Sequence, residues 1–152
     1  MYEMKNIPIS IQILAKKLVA FQLNEENMYK SGNSENFKSF NGKIIFVSDK
    51  LRDPISKLAG NEGFNLLLSR SLALSKAKIE WINSVNVLAD GTLDGFEFAA
   101  KHQNEQSVEH ARITLAMELL QLMVIFIGEP LMIVLLKDAW PSINNLGSGN
   151  KS

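Results

Sequence analysis

The chain has 152 residues, 46% of them hydrophobic and 21% charged, a balance typical of one globular domain and too apolar for intrinsic disorder. Sixteen basic residues offset sixteen acidic ones, which argues against a nucleic-acid ligand because phosphate backbones recruit basic surfaces. The absence of cysteine excludes disulfides, thiolate nucleophiles and cysteine metal sites, and it favours the cytoplasm.

The first 47 residues predict a helix followed by a polar segment. Apolar residues recur at helical spacing over residues 9–23 and predict an amphipathic helix. Residues 24–42 are rich in Asn, Ser, Lys and Glu, so they predict a long polar loop. The stretch KIIFV, residues 43–47, fits either a short strand or the start of the next helix.

Two further helices are predicted before residue 82. Ser48 is expected to cap a helix through residues 51–58. Pro54 weighs against a long uninterrupted helix there, but it fits the first turn of a helix that begins near Asp53, where a missing N–H is tolerated. Gly60 is a typical C-terminal stop. The apolar spacing over residues 61–81 then predicts the strongest helix of this half.

The stretch SVNVLADGTLDGF predicts a small β-hairpin within residues 84–95. Val85 and Val87 alternate with polar residues, and Asp90-Gly91 is a turn sequence. Beyond it, residues 104–127 and 129–140 each read as a helix, while the polar, Gly/Ser-rich residues 142–152 are expected to form a flexible tail. The predicted fold is therefore mainly α: one compact domain, residues 1–141, of about five helices with a small hairpin.

The least polar stretch, LMVIFIGEPLMIVLLKDAW, raises the question of a membrane span. Residues 113–136 are long enough to cross a bilayer. However, Glu118 and Glu129 would each cost about 2.5–3.5 kcal/mol within the hydrocarbon. Gly128 and Pro130 also interrupt the helix between them. We therefore predict two consecutive core helices and no membrane span.

Residues 119–136 are apolar on nearly every side of both helices, so an ordinary half-exposed helix is not expected there. In a chain this small, such helices form the centre of the core or extend that core into a partner. The partner is most simply a second copy of the chain. Leu122 is expected to be internal, and Ile125, Ile133 and Leu136 are the candidate interface positions.

The stretch NVLADGTLDGFE partly matches a twelve-residue calcium loop of the EF-hand type. Oxygen-bearing side chains occupy its first, fifth, ninth and twelfth positions, namely Asn86, Asp90, Asp94 and Glu97. Leu88 holds the third position, where a ligand is required, so the turn of a hairpin is favoured over a metal site.

Other candidate groups are isolated. His102 and His110 are interpreted as surface histidines rather than metal ligands. Ser75-x-x-Lys78 matches a nucleophile motif, but its companion motifs are absent from the sequence. No catalytic, cofactor-binding or metal-ligating residue is therefore assigned.

Arg70 and Glu118 are charges within apolar helices and have two interpretations. They could line an inter-helical pocket, with Glu129 as a further pocket group. The favoured interpretation is a structural ion pair, of Arg70 and Glu118 with each other or with Glu129, or a place at a helix edge.

Several phrases of the sequence resemble a group of uncharacterised bacterial proteins. They are AGNEGF with LLSRSL (59–72), ADGTL (89–93), FIGEPL (126–131) and DAWP (138–141). The similarity spans residues 58–141. No activity is assigned to that group, so the resemblance supplies no catalytic residue and implies only a soluble bacterial protein.

Two functional hypotheses follow. The first is a non-catalytic helical module that works by protein–protein association, as a homodimer or with another protein. The alternative is a small-ligand binding protein or enzyme with a pocket between helices.

Overall fold

The computed structural model describes residues 9–32 and 44–141, with side chains for residues 11–24 and 44–141. Within this part of the chain, five helices and a two-stranded antiparallel sheet follow one another, which confirms the predicted mainly helical fold with a small hairpin. The order is α1 (Ile9–Gly32), α2 (Val47–Lys76), a 3-10 turn (Glu80–Ile82), β1 (Asn86–Val87), β2 (Leu93–Asp94), α3 (Phe96–Ala100), α4 (Glu105–Ile127) and α5 (Glu129–Ala139).

Helix α4 is the central element of the core. It packs against α1 on one side and α2 on another, and α5 then packs on both α2 and α4. The largest fully buried side chains come from all of these helices and from the segments beside the hairpin; they include Leu18, Leu51, Phe64, Ile82, Phe96, Leu119, Met132 and Trp140. Burying one such side chain contributes about 1.5–3 kcal/mol, so this single cluster is the main source of stability.

The predicted start of the polar loop at residue 24 is too early. Helix α1 continues to Gly32, so residues 24–32 are helical, and residues 33–42 lie outside the described part of the chain. Residues 24–31, NEENMYKS, contain no proline and include Glu, Met and Lys, which are good helix formers. Polarity alone does not end a helix. The predicted tail, residues 142–152, also lies outside the described residues.

Helix α2 starts earlier than its sequence suggested. Its N-cap is Phe46, and Asp49 Oδ2 accepts a hydrogen bond of 2.8 Å from the Phe46 amide. This reach of an acidic third residue back to the N-cap is one half of a capping box. Ser48 is therefore a buried residue of the first turn and not the cap, and Pro54 lies inside the helix rather than in its first turn. Residues 44–46 are irregular, so they precede a helix and form no strand.

Gly60 interrupts α2 as predicted, but the helical run ends earlier than expected. Gly60 has φ 81° and ψ 164°, which divides α2 into two segments at a kink. The second segment ends at Lys76 and not at Trp81. Ile79 then adopts an extended backbone, and a 3-10 turn follows. Ile79 and Ile82 are both buried after this change of direction.

The predicted hairpin is present within residues 84–95. Asn86 pairs with Asp94 and Val87 pairs with Leu93 in antiparallel register. Its turn is closed by the Leu88 amide, which donates to the Thr92 carbonyl at 2.8 Å. The chain then enters α3.

Gly128 separates α4 from α5, as its sequence position predicted. It has φ 88° and ψ 156°, and Pro130 lies in the first turn of α5, where its missing N–H is no loss. At the other end of α4, the Asn104 side chain caps the helix by accepting from the Ser107 amide at 2.8 Å.

Candidate functional site

The charges embedded in apolar helices are not arranged as the sequence suggested. Glu118 is buried, with 7% of its side chain exposed, and the Lys78 ammonium donates to its carboxylate. Arg70 and Glu129 are exposed. The expected ion pair of Glu118 with Arg70 or Glu129 is therefore wrong, whereas the exposed positions of Arg70 and Glu129 agree with the alternative place at a helix edge. Lys78 follows the end of α2, where the turn of the chain directs it to α4, a placement that helical periodicity does not show.

The Ser-x-x-Lys motif has a structural role. Ser75 is buried, and its hydroxyl donates to the Ser71 carbonyl one helical turn earlier at 2.9 Å. The Ser71 hydroxyl does the same with the Leu67 carbonyl at 2.8 Å. With Lys78 bound to Glu118, serine and lysine are both engaged, and the pair does not form a nucleophile and its base.

Three side chains hold the segment that leads into α2, and sequence reasoning missed this cluster. Gln22 Nε2 and Arg112 Nη2 both donate to the Ile45 carbonyl, at 3.0 and 2.9 Å. Glu97 Oε2 accepts from the Ile44 amide at 3.1 Å. Gln22 is 1% exposed and Arg112 is 4% exposed. The sequence contains one signal for this cluster. Arg112 falls at helical spacing among the apolar residues that α4 buries, where a solvated charge is not expected.

The four oxygen-bearing side chains of the partial calcium loop have different partners in the hairpin and do not form one ligand set. Asn86 and Asp94 face each other as strand partners, Glu97 binds the Ile44 amide, and Asp90 accepts from Thr92. Among the side chains of residues 11–24 and 44–141, no group of three or more His, Asp or Glu gathers around one point. Both histidines are exposed, and His102 packs edge-on against Phe98 with ring centroids 6.5 Å apart.

Asp90 organises the turn of the hairpin. The Thr92 hydroxyl and amide donate to Asp90 Oδ1 at 2.6 and 3.1 Å. These two bonds, with a smaller contribution from the nearby Arg52 guanidinium, hold the pKa of the Asp90 carboxyl below its ordinary value. The side chain is exposed, so it is ionised and solvated at neutral pH.

A cleft of about 490 Å³ lies between the hairpin turn and the two segments of α2. Arg52 Nη1 bridges Asp49 Oδ1 at 3.2 Å and the Gly91 carbonyl at 3.4 Å, and Asn65 Nδ2 donates to the Ala89 carbonyl at 2.9 Å. The polar side chains of its walls are Asp49, Arg52, Asp53, Ser56, Asn61, Asn65 and Asp90. Neither Arg70 nor Glu118 nor Glu129 lines it.

Gly91 permits the close approach of the hairpin to α2. Its φ is +85°, and a methyl group there would lie 2.8 Å from Arg52 Cδ and 3.0 Å from Asn65 Oδ1. Gly60, at the kink, has a similar φ of +81° but has no atom within 4 Å of the added carbon. At Gly91, close packing as well as the positive φ favours glycine. At Gly60, the backbone conformation alone favours it.

Three large apolar side chains are exposed near the junction of α4 and α5. Ile125, Phe126 and Val134 have exposed fractions of 52%, 57% and 58%, and Ile133 is half-buried beside them in sequence. We refer to these four residues as the C-terminal apolar face. Within one copy the two helices are therefore not shielded on every side, which disagrees with a wholly intrachain core and leaves the extension into a partner as a prediction.

Two of the positions predicted from sequence change their role. Leu122 is only half-buried, whereas Leu136 is fully buried against α2 and α4. Leu136 is thus a core position and not an interface candidate. Its neighbour Met132, one turn earlier on the same side of α5, is buried as well.

Among the described helices, Glu105–Ile127 has the length and mean hydropathy that could cross a membrane. Half of its most apolar 18-residue window is buried inside the protein.

Comparison with protein-family models, curated proteins and solved structures gives no significant match. The resemblance to uncharacterised bacterial proteins therefore stays a prediction.

Proposed function

We propose that this protein is a non-catalytic, self-associating helical module whose C-terminal apolar face binds a second copy of the chain. The observation that carries the proposal is the exposure of Ile125, Phe126 and Val134, each more than half accessible, on two consecutive helices. Large exposed apolar side chains close together are typical of protein interaction sites, and these three lie within residues 125–134. Removing them from water supplies the driving force for association.

A second copy is the occupant that the charges favour. The net charge of zero gives little repulsion between copies. The exposed charges of α5 include both signs, with Glu129 in its first turn and Lys137 in its last. A surface with both signs at its two ends is able to complement itself under two-fold symmetry.

The proposed protein is soluble and cytoplasmic. In it, α4 is a core helix rather than a membrane span. Its buried ion-paired Glu118 and its buried Arg112 are costly groups to place in hydrocarbon. Expression without detergent should give soluble protein with helical circular dichroism. Recovery only from the membrane fraction would contradict this part of the proposal.

Light scattering after gel filtration, over protein concentrations of about 1 to 500 µM, tests the association. An interface built on one 11-residue helix and the end of α4 is small, so we expect a dissociation constant in the micromolar range, on the order of 1–100 µM. Ile125→Asp, Ile133→Asp or Val134→Asp should give a helical monomer. Leu66→Asp is the matched control, because Leu66 is 73% exposed but lies on α2 outside the face.

The outcomes separate clearly. A parent protein that stays monomeric at the highest concentration refutes self-association. A parent dimer that dissociates in Leu66→Asp, but not in the three variants of the face, places the interface elsewhere and refutes the proposed surface.

The second candidate function is binding of a small polar ligand, and the cleft beside the hairpin favours it. Its volume of about 490 Å³ falls within the range of ligand sites, and its walls offer carboxylate, amide and guanidinium groups. Arg52 is the group to test, since it joins the hairpin to α2. A ligand screened by thermal shift should raise the melting temperature of the parent but not of Arg52→Gln if this candidate is correct.

A further inference from the structure

The polar walls of the cleft beside the hairpin come from helical spacing on both sides of the Gly60 kink. Residues three or four positions apart share one side of a helix. On the first segment of α2 this spacing groups four polar residues, namely Asp49, Arg52, Asp53 and Ser56. On the second segment it groups Asn61 and Asn65, and the hairpin turn adds Asp90. The kink therefore brings two polar helix sides and one turn to a single cleft.

Arg52 leaves one edge of its guanidinium for a ligand. Its Nη1 donates to Asp49 Oδ1 at 3.2 Å and to the Gly91 carbonyl at 3.4 Å. Its Nε and Nη2 have no acceptor in the described part of the chain, and 35% of the side chain is exposed. These two nitrogens carry parallel N–H groups, the arrangement that binds both oxygens of a carboxylate. Because Nη1 is held by two acceptors, the edge is oriented before a ligand arrives.

The cleft also contains hydrogen-bonding capacity that residues 44–141 do not use. Both Thr92 bonds to Asp90 end on Oδ1, so Oδ2 has no donor there. Asn65 uses its amide nitrogen on the Ala89 carbonyl and leaves its Oδ1 without a donor. The buried Ser56 hydroxyl has no partner at all. Unused acceptors beside a carboxylate favour a ligand with several N–H donors, such as an ammonium group.

Arg52 and Asp90 are opposite charges in the same cleft that are not paired with each other. The Arg52 guanidinium forms its ion pair with Asp49, yet it is close enough to Asp90 to lower the pKa of that carboxyl. A ligand that satisfies both needs a carboxylate for Arg52 and a cationic group for Asp90. Three carboxylates line the cleft against one guanidinium, so a ligand that carries negative charge alone is repelled.

We propose that the cleft binds a free α-amino acid, with its carboxylate on the Nε–Nη2 edge of Arg52 and its ammonium group on Asp90. This proposal rests on the second candidate function, ligand binding in the cleft, and is independent of self-association. An α-amino acid carries both charged groups on one carbon, so it bridges the two residues. Asn65 Oδ1 accepts from the same ammonium group. The volume of about 490 Å³ leaves room for a side chain of the ligand.

A thermal-shift panel on the full-length chain is the first test. Each of the common L-amino acids is added at 10 mM, with glucose and inorganic phosphate in the same plate. An amino acid with a dissociation constant of about 1 mM should raise Tm by roughly 3–6 °C, because it binds only the folded state. Glucose and phosphate should leave Tm unchanged. If no amino acid raises Tm, the proposal is refuted.

Modified forms of the best amino acid test the two charged contacts. Its amide lacks the carboxylate that Arg52 binds, and its N-acetyl form lacks the ammonium group that Asp90 binds. Each form should raise the dissociation constant at least about tenfold in calorimetry, because a hydrogen bond to a charged group is lost. Equal affinity for either form would overturn the proposed orientation, and it would also show whether a peptide terminus is accepted.

Two substitutions and their matched controls test the residues. Arg52→Lys keeps the positive charge but cannot present two parallel N–H groups, and Asp90→Asn removes the charge but keeps an oxygen for the Thr92 donors. Each should weaken binding at least about tenfold. Arg70→Lys and Asp94→Asn are the controls, because both residues are exposed and lie outside the cleft. Melting each variant without ligand separates lost binding from lost folding.

The failures of the ligand class and of the cleft are distinguishable. If glucose or phosphate raises Tm in the parent but not in Arg52→Gln, and the amino acids do not, the cleft is a ligand site and only the amino-acid class is refuted. If an amino acid binds Arg52→Lys and Asp90→Asn as tightly as the parent, its site lies elsewhere and both proposals for the cleft are refuted.

Discussion

Replacing Lys78 by Met removes an ammonium group from the buried carboxylate of Glu118 and keeps most of the apolar stem of the side chain. Glu118 has 7% of its side chain exposed, and the Lys78 side chain has 47%. In the variant, Glu118 must be ionised without its partner, take up a proton, or recruit water. Each of these outcomes costs free energy in the folded state and little in the unfolded state.

The size of the effect follows from the two exposures. Breaking a buried ion pair on one side costs about 3–5 kcal/mol. Fully exposed pairs contribute about 0–1 kcal/mol. Lys78 is half accessible, so water partly replaces it, and we expect Lys78→Met to lower the free energy of unfolding by about 2 kcal/mol. For a domain of this size, that corresponds to a fall of about 4–8 °C in Tm.

Urea unfolding followed by circular dichroism, at one protein concentration, provides the assay. The matched control is Lys57→Met, because Lys57 and Asp53 lie 3.7 Å apart with 72% and 83% of their side chains exposed. That control should change stability by less than about 0.5 kcal/mol. Adding Glu118→Gln to Lys78→Met should recover about 1 kcal/mol, since the unpaired charge is then gone. Equal midpoints for Lys78→Met and Lys57→Met would refute the reasoning.

Three further predictions follow from the geometry. Hydrogen bonds from Thr92 in the folded state lower the pKa of the Asp90 carboxyl. The ionised carboxylate therefore stabilises the fold fully above the ordinary pKa of an aspartate, and this stabilisation is lost as pH falls through the lowered pKa. In thermal melts between pH 5 and about pH 2, Asp90→Asn should show a smaller fall in Tm than the parent. Gly91→Ala should lower the free energy of unfolding, measured in urea titrations, by about 2–4 kcal/mol, because the residue has a positive φ and the added methyl group has a close contact. Gly60→Ala has the positive φ without the contact and should cost only about 1 kcal/mol. Equal losses in the two variants would show that packing at Gly91 is unimportant. Leu136→Asp should abolish the helical circular dichroism signal, because it places a charge in a fully buried position, and a folded Leu136→Asp protein would contradict the assigned core.

Local chemistry made much of the fold predictable. Gly60 and Gly128 interrupt helices because their backbone conformations suit glycine, and Pro130 can follow at a first turn at little cost. The Asp90-Gly91 turn was recognisable for the same reason. These features depend on residues within a few positions of one another, so the sequence contains the whole cause.

The partners of buried charges could not be predicted in the same way. Lys78 and Glu118 are 40 positions apart, and only the turn after α2 brings the two together. Arg112 and its acceptor at Ile45 are 67 positions apart. The exposure of Val134 also depends on which side of α5 the rest of the chain leaves free, and an almost wholly apolar helix gives no periodic signal for that choice.

The convergence of Gln22 and Arg112 on the Ile45 carbonyl has a kinetic consequence. The two donors are 23 and 67 positions from their shared acceptor, and Glu97 is 53 positions from the Ile44 amide. Helical proteins dominated by local contacts fold fast, and contacts across long chain separations slow folding through the entropy of loop closure. This start of α2 is thus set only after α1, α3 and α4 are in place, so we expect the Ile44 amide to gain hydrogen-exchange protection among the last during refolding.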